Sequence, residues 1–164
     1  VAVVRRAGAD DAPTLARLLW DFDTEFDTGP DPVDVLAARF ARILPLDPVL
    51  ALVAEDAGPD GAAEAVGFAL LTLRPAIWFD GPVAQLEELY VVPGRRGGGI
   101  GSALLARARS AVADRGAPEL HIPVDEPDDG ARRFYERHGF VNVEPGAEGR
   151  MLLYVGPTSP DAAG

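Results

Sequence analysis

The sequence has no cysteine. Disulfides, thiolate nucleophiles and cysteine-ligated metals are therefore excluded. It has no lysine either, so every basic side chain is an arginine. A Walker-type phosphate loop, which needs Gly-Lys-Ser/Thr, is ruled out. Histidine occurs only as His121 and His138, without ligand spacing around either, and no metal is expected. No apolar run is long enough to cross a bilayer. Val1-Ala2-Val3-Val4 leads straight into Arg5-Arg6, with no basic region before it and no long apolar region after it, so no secretory signal is read there. These absences point to cytoplasmic residence and to no membrane partner.

What is present in excess is acid. Asp and Glu number 26 against 15 basic residues, a formal net charge of -11. Such a surface repels nucleic acid and anionic lipid and weakly favours cationic small molecules. With 164 residues and 48% hydrophobic content, the chain suits one domain with its own core. That domain is expected over 1–156, and 157–164 reads as a frayed tail.

Periodicity orders the chain. Val1 to Arg6 reads as a short strand. Asp10 or Asp11 caps a helix that Pro13 opens, and its Leu15, Leu18, Leu19 and Phe22 share one face. Trp20, Asp21, Asp23 and Glu25 belong to an acidic and aromatic run that stops at Gly29-Pro30. It is either a solvated helix end or a rim that attracts an amine. Asp34 to Leu44 is a second helix, with Leu36, Phe40, Ile43 and Leu44 inward. Leu50 to Glu55 and Glu64 to Leu73 form an antiparallel hairpin, with Val66, Phe68 and Leu70 on one face and Gly67, Ala69 and Leu71 on the other. Trp78-Phe79 either seals the sheet edge, the preferred reading, or covers a pocket. Ala84 to Val92 is an apolar strand interrupted by Glu87 and Glu88. Gly99 to Arg115 is a long amphipathic helix that crosses over to a parallel strand, Glu119 to Val124. Ala131 to His138 is a two-turn helix with Asp129 as its candidate cap. Phe140 to Glu144 and Arg150 to Val155 are the closing strands. The order β-α-α-β-β-β-α-β-α-β-β is an α/β fold, a mixed and mostly antiparallel sheet with helices on its faces.

Two stretches carry chemistry. In Val91-Val92-Pro93-Gly94-Arg95-Arg96-Gly97-Gly98-Gly99-Ile100-Gly101-Ser102 a strand turns into a helix through glycines. Backbone N–H groups at such a helix start, uncrowded by side chains, seat a phosphate. Arg95 and Arg96 stand close enough in sequence to add charge-assisted hydrogen bonds. The second stretch is Glu87-Glu88. Adjacent strand residues face opposite sides, so one carboxylate is expected on the substrate side and the other toward helices or a subunit contact. A carboxylate in an apolar strand is costly unless used or paired.

Arg96-Gly97-Gly98-Gly99-Ile100-Gly101, following Val91-Val92-Pro93, resembles the acetyl-CoA pyrophosphate loop of the GCN5-related N-acetyltransferases (GNAT), Arg/Gln-x-x-Gly-x-Gly/Ala. The segment from Asp128 to Phe140 resembles that family's Asn-x-x-Ala-x-x-Phe-Tyr-Glu-x-x-Gly-Phe, and the element order matches throughout. The resemblance implies acetyl-CoA as co-substrate, with its diphosphate on Arg95, Arg96, Gly97, Gly98, Gly99, Ile100, Gly101 and Ser102. It implies that Leu89, Tyr90 and Val91, on a strand splayed from its neighbour, take the pantetheine arm and the thioester carbonyl, with Asp128 and Arg133 nearby. Tyr135 matches the acid that protonates the leaving thiolate. Asp128 stands where the family has Asn, and an ionised carboxylate accepts but does not donate. His138 reads as a structural cap rather than a base.

Leu86-Glu87-Glu88-Leu89-Tyr90-Val91 and His121-Ile122-Pro123-Val124-Asp125-Glu126 look like the diamine (spermidine/spermine) branch. There Glu87 matches the acid that contacts the substrate amine or its proton-relay water, and Glu88 is the second acid. Trp20, Asp21, Asp23 and Glu25 complete the candidate substrate rim. The expected function is transfer of acetyl from acetyl-CoA to a small, diamine-like primary amine by direct attack. Amino acids, antibiotics and protein N-termini are the alternative acceptors, and a non-catalytic acyl-CoA-binding module is the rival class. A homodimer through apolar residues after Phe140 stays open.

Overall fold

Five strands pair in sequence order into one sheet. β1 (Val3–Arg6), β2 (Val49–Ala57), β3 (Ala63–Arg74) and β4 (Val83–Val91) are antiparallel in turn, and β5 (Leu120–His121) joins β4 in parallel. The structure is a computed structural model that describes residues 2–158. Val1 of the expected first strand, and the expected tail from 159 onward, lie outside the described residues. The chain divides after Ile122 into two compact units.

In the first unit, helices cover both sheet faces. α1 (Ala12–Glu25) and α2 (Val33–Ile43) lie on one face. Leu15, Leu18, Leu36 and Phe40 pack there against Val49, Ala51, Phe68, Leu70 and Tyr90. These apolar positions recur every three or four residues along each helix, which is what allows one helical face to be buried. α3 (Ile100–Ala113) covers the opposite face with Ile100, Leu104, Leu105, Ala108 and Val112, all buried. The strands alternate between these faces as expected, with Phe68 and Leu70 toward α1 and α2. Val66 is the exception. The register slips where Ala54 pairs with Gly67 and Glu55 with Ala65, so Val66 is the extra residue of a bulge and lies outside the α1 and α2 cluster.

Gly67 marks a close approach. A Cβ there would sit 2.6 Å from the Tyr90 carbonyl oxygen and 3.3 Å from Leu104. The residue joins β4 and α3 to the sheet at the point where the glycine-rich turn begins.

The second unit holds α4 (Asp129–Arg137) and a bridge between Val143 and Arg150. Asp128 is the N-cap and accepts the Ala131 N–H at 2.9 Å; the expected cap, Asp129, is the first helical residue. His138 is the C-cap, and its Nδ1 lies 2.7 Å from the Phe134 carbonyl. A carbonyl only accepts, so Nδ1 carries the proton and the capping role holds. The two closing strands expected after Phe140 are reduced to that one bridge, closed by Met151 N–H to the Asn142 carbonyl. Met151 to Val155 are exposed, and without a second face to bury against an apolar run gains little from pairing. Trp78 is 84% exposed and does not seal the sheet edge. Among the described residues no helix is long and apolar enough to cross a membrane.

Gly67→Ala is expected to lower stability by about 1–3 kcal/mol, because the clash is with backbone and Leu104 rather than a flexible chain end. Urea denaturation compared with wild type measures this; an unchanged midpoint would show that β4 can move away at no cost.

Candidate active site

β4 leads into a single 3-10 turn, Pro93–Arg95, and then into the N-terminus of α3. Gly97 and Gly99 have φ of +80° and +87°, a left-handed conformation in which a side chain is strained. Gly99 is the N-cap and brings no side-chain cap of its own. The first helical bond is Ala103 N–H to the Gly99 carbonyl at 2.9 Å, so the amides ahead of it precede any i→i−4 partner. Backbone dipoles at such a helix start suit an anion.

The arginines expected to reinforce that seat are engaged elsewhere. Arg95 donates to Asp56 at 3.2 Å and to the Ala57 carbonyl at 2.8 Å. Arg96 donates from Nε to the Val91 carbonyl at 2.8 Å, and from both Nη1 and Nη2 to the Glu25 carboxylate at 2.7 Å. That bond holds the Glu25 carboxyl below its usual range. Of the expected acidic rim, Glu25 is thus in an ion pair, Asp21 pairs with Arg17 at 3.2 Å, and Trp20 lies under the Arg17 guanidinium. Asp23 alone faces the next group.

That group sits at a second bulge. Leu71 pairs with Leu86 and Leu70 with Glu88, which leaves Glu87 as the extra residue of β4. Cross-strand partners share a face. Leu86 therefore stays with Leu71, while Glu88 joins Leu70 on the α1 side. Glu87 bonds to Thr72 Oγ1 and to Gln85 Nε2, the two residues paired on that same face. The expectation that the two glutamates point to opposite sides is corrected: a bulge adds one residue to the alternation and puts both carboxylates on the side of α1.

Their environments differ. Glu87 is exposed and hydrogen-bonded. Glu88 is half-buried, and burial pushes its carboxyl up to about 7, with the charges of Asp23 and Glu87 acting in the same direction. Asp23 is itself raised by burial. Glu88 is thus a carboxyl that exchanges its proton near neutrality. The sequence pattern contained the signal: apolar residues at 84, 86, 89 and 91 are spaced two, three and two, and the three spans the glutamates.

β4 also has an open edge. Its parallel ladder to β5 consists of Ala84 with Leu120 and Gln85 with His121. From Leu86 to Val91, among the described residues, no strand pairs with that edge. That unpaired edge runs between the bulge and the glycine turn, and at its end the Val91 carbonyl already accepts from Arg96. The Tyr90 side chain is buried and stacks on Phe22 at 5.0 Å. In the second unit, Asp128 uses its carboxylate as the α4 cap, Arg133 is exposed, and Tyr135 is half-buried with its ring 5.2 Å from Phe134 and 6.1 Å from Phe140.

The model of the acetyltransferase (GNAT) family matches residues 13–140. The chain belongs to the GNAT family. A solved structure from Arthrobacter sp. FB24, described only provisionally as an acetyltransferase, is 47% identical, covers 96% of each chain and superposes with a TM-score of 0.83. An uncharacterized N-acetyltransferase of Mycobacterium bovis is 36% identical over 104 residues, 63% of this chain and 60% of that protein. An aminoglycoside N(6')-acetyltransferase of Klebsiella aerogenes is 32% identical over 127 residues, 76% of this chain and 78% of that protein. The expected fold is thereby established, and acetyl-CoA is the co-substrate that this fold implies. The donor set fits that group: amides at a helix start for the diphosphate and an open strand edge for the arm.

Glu88 has a stability consequence. The folded chain keeps this proton between the ordinary carboxyl value of 4.5 and about 7, where the unfolded chain has lost it. Its contribution is therefore full below the unfolded value and is lost as pH rises through the folded one. Glu88→Gln is expected to exceed wild type in stability by about 1–3 kcal/mol at about pH 8, and to match it near pH 4. Urea unfolding at the two pH values reads this; a constant difference at both would exclude a raised Glu88.

Proposed function

We propose that this GNAT protein transfers acetyl from acetyl-CoA to a primary amine of a small cationic acceptor, one with a second amino group. The observation that carries the reading is Glu88, a half-buried carboxyl beside Glu87 and Asp23 that burial pushes up to about 7, on a strand that leads into helix-start amides. Acetyl-CoA supplies the acyl thioester. The residues of the chain do the rest. The amides between Gly97 and Ser102 hold the diphosphate. Glu88 removes a proton from the acceptor ammonium, which an amine must lose before it can attack, and a base poised near the working pH suits that task. Glu87, fixed by Thr72 and Gln85, gives a second ammonium a counter-charge, and Asp23 adds to the field. Tyr135, by its place in the motif, returns a proton to the departing thiolate. The amine attacks directly, and no acyl-enzyme is needed.

Glu87 was the expected acid of the diamine reading; here it is proposed as the acceptor's anchor and Glu88 as the base. A diamine meets both roles with two amines. The relative named for an aminoglycoside favours a second reading within the same chemistry, a polyamino sugar. The exposed run Met151–Val155 is our proposed surface for a homodimer.

A thiol-release assay over diamines, polyamines, amino acids and an aminoglycoside tests this. With the best amine, Glu88→Gln is expected to lower kcat/KM about 10²–10³-fold and to remove the rise of rate with pH near 7. Glu87→Gln is expected mainly to raise the KM of diamines over monoamines. Tyr135→Phe is expected to lower kcat about tenfold or more. No turnover with any amine, with CoA still bound, would favour a binding module.

A further inference from the structure

Arg96 opens the glycine-rich turn, where a guanidinium could meet a phosphate, yet it is directed inward. Besides its paired bonds to Glu25 and its bond to the Val91 carbonyl, its guanidinium lies over the Tyr90 ring at 5.5 Å. Tyr90 stacks on Phe22, and its phenol is pushed up by burial and by the charge of nearby Glu25. Phe22 and Glu25 belong to the last turn of α1. One side chain therefore ties together the end of β4, the start of the turn and the end of α1. Asp23, whose charge bears on Glu88, is carried by that same helical turn.

We propose that Arg96 is a positioning residue: it holds the last turn of α1, and with it Asp23, beside Glu88, while the diphosphate is left to the backbone amides. The fork geometry suits this role, since a guanidinium meets a carboxylate through two parallel bonds and so fixes orientation as well as distance. The pair is partly exposed, with side chains 42% and 28% accessible. Such pairs contribute little to stability, so the consequence of this one is alignment. The groups that face Glu88 are Asp23 from α1 and Glu87 from β4, and Arg96 controls the first. The inference rests on the proposed function for the nature of the anion, and only for that.

Two measurements on the full chain test it. In the first, the side-chain carboxyl of Glu88 is titrated by carbon-detected NMR. Glu25→Gln is expected to lower its midpoint by about half a unit or more as Asp23 moves away. Arg96→Lys, which keeps the charge but loses the fork, is expected to do the same. Arg39→Gln, which breaks the Arg39–Asp31 pair elsewhere on the surface, is expected to leave it unchanged. In the second, calorimetry with CoA is expected to give Arg96→Gln an affinity within about threefold of wild type. A Glu88 midpoint that is the same in wild type and in Glu25→Gln overturns the proposal. So does a loss of CoA affinity beyond about tenfold in Arg96→Gln with Glu25→Gln unaffected, which would make Arg96 a phosphate ligand. A wild-type chain that binds no CoA counts against the proposed function, and the titration still decides the role of Arg96.

Discussion

A strand in the middle of a sheet can carry two consecutive glutamates only if both carboxylates find water or partners, and in β4 a bulge meets that condition. Strict alternation would have placed Leu86 on the same side as Glu88 and buried the latter among core residues. With Glu87 as an extra residue, Ala84, Leu86, Leu89 and Val91 keep one face, that of α3, while Gln85, Glu87, Glu88 and Tyr90 share the other. The parallel ladder to β5 ends immediately before the bulge. Bulges commonly terminate pairing, and Pro123, which lacks an N–H, soon follows on the β5 side. The re-phased side chains and the open edge thus have neighbouring causes.

The charge distribution follows a related logic. A chain of net charge -11 is a poor host for a polyanion. Its arginines at the turn are occupied by Glu25, Asp56 and backbone carbonyls. In the proposed function, what remains for a diphosphate is a row of peptide dipoles at the start of α3. These impose no side-chain entropy cost and stay fixed by the glycine geometry. In the proposed function the acidic excess serves the opposite task, lowering the free energy of a cation near Glu88.

Asp128 shows how one position can serve two demands. A helix cap needs only an acceptor, and Asp meets it as well as Asn does. The family's Asn could also donate. In this chain Asp128 caps α4, and an ionised carboxylate there accepts but does not donate.

Much of the fold was readable because burial imposes period: the helices at 12–25, 33–43 and 100–113 and the long strands lie within a few residues of expectation. The glycine turn was readable too, since the left-handed φ of residues 97 and 99 favours glycine. The short extent of β5 and the loss of both closing strands were not, because pairing depends on a partner that local pattern does not specify. The same limit applied to the site. The sequence alone determined that two adjacent acids interrupt an apolar strand, and that an arginine precedes three glycines. Tertiary structure decided that both acids face α1, that Glu88 rather than Glu87 is shielded from water, and that Arg96 turns toward Glu25. The reason is physical. A side chain's identity is local, but its desolvation, its face and its ion-pair partner are set by residues far away in the chain.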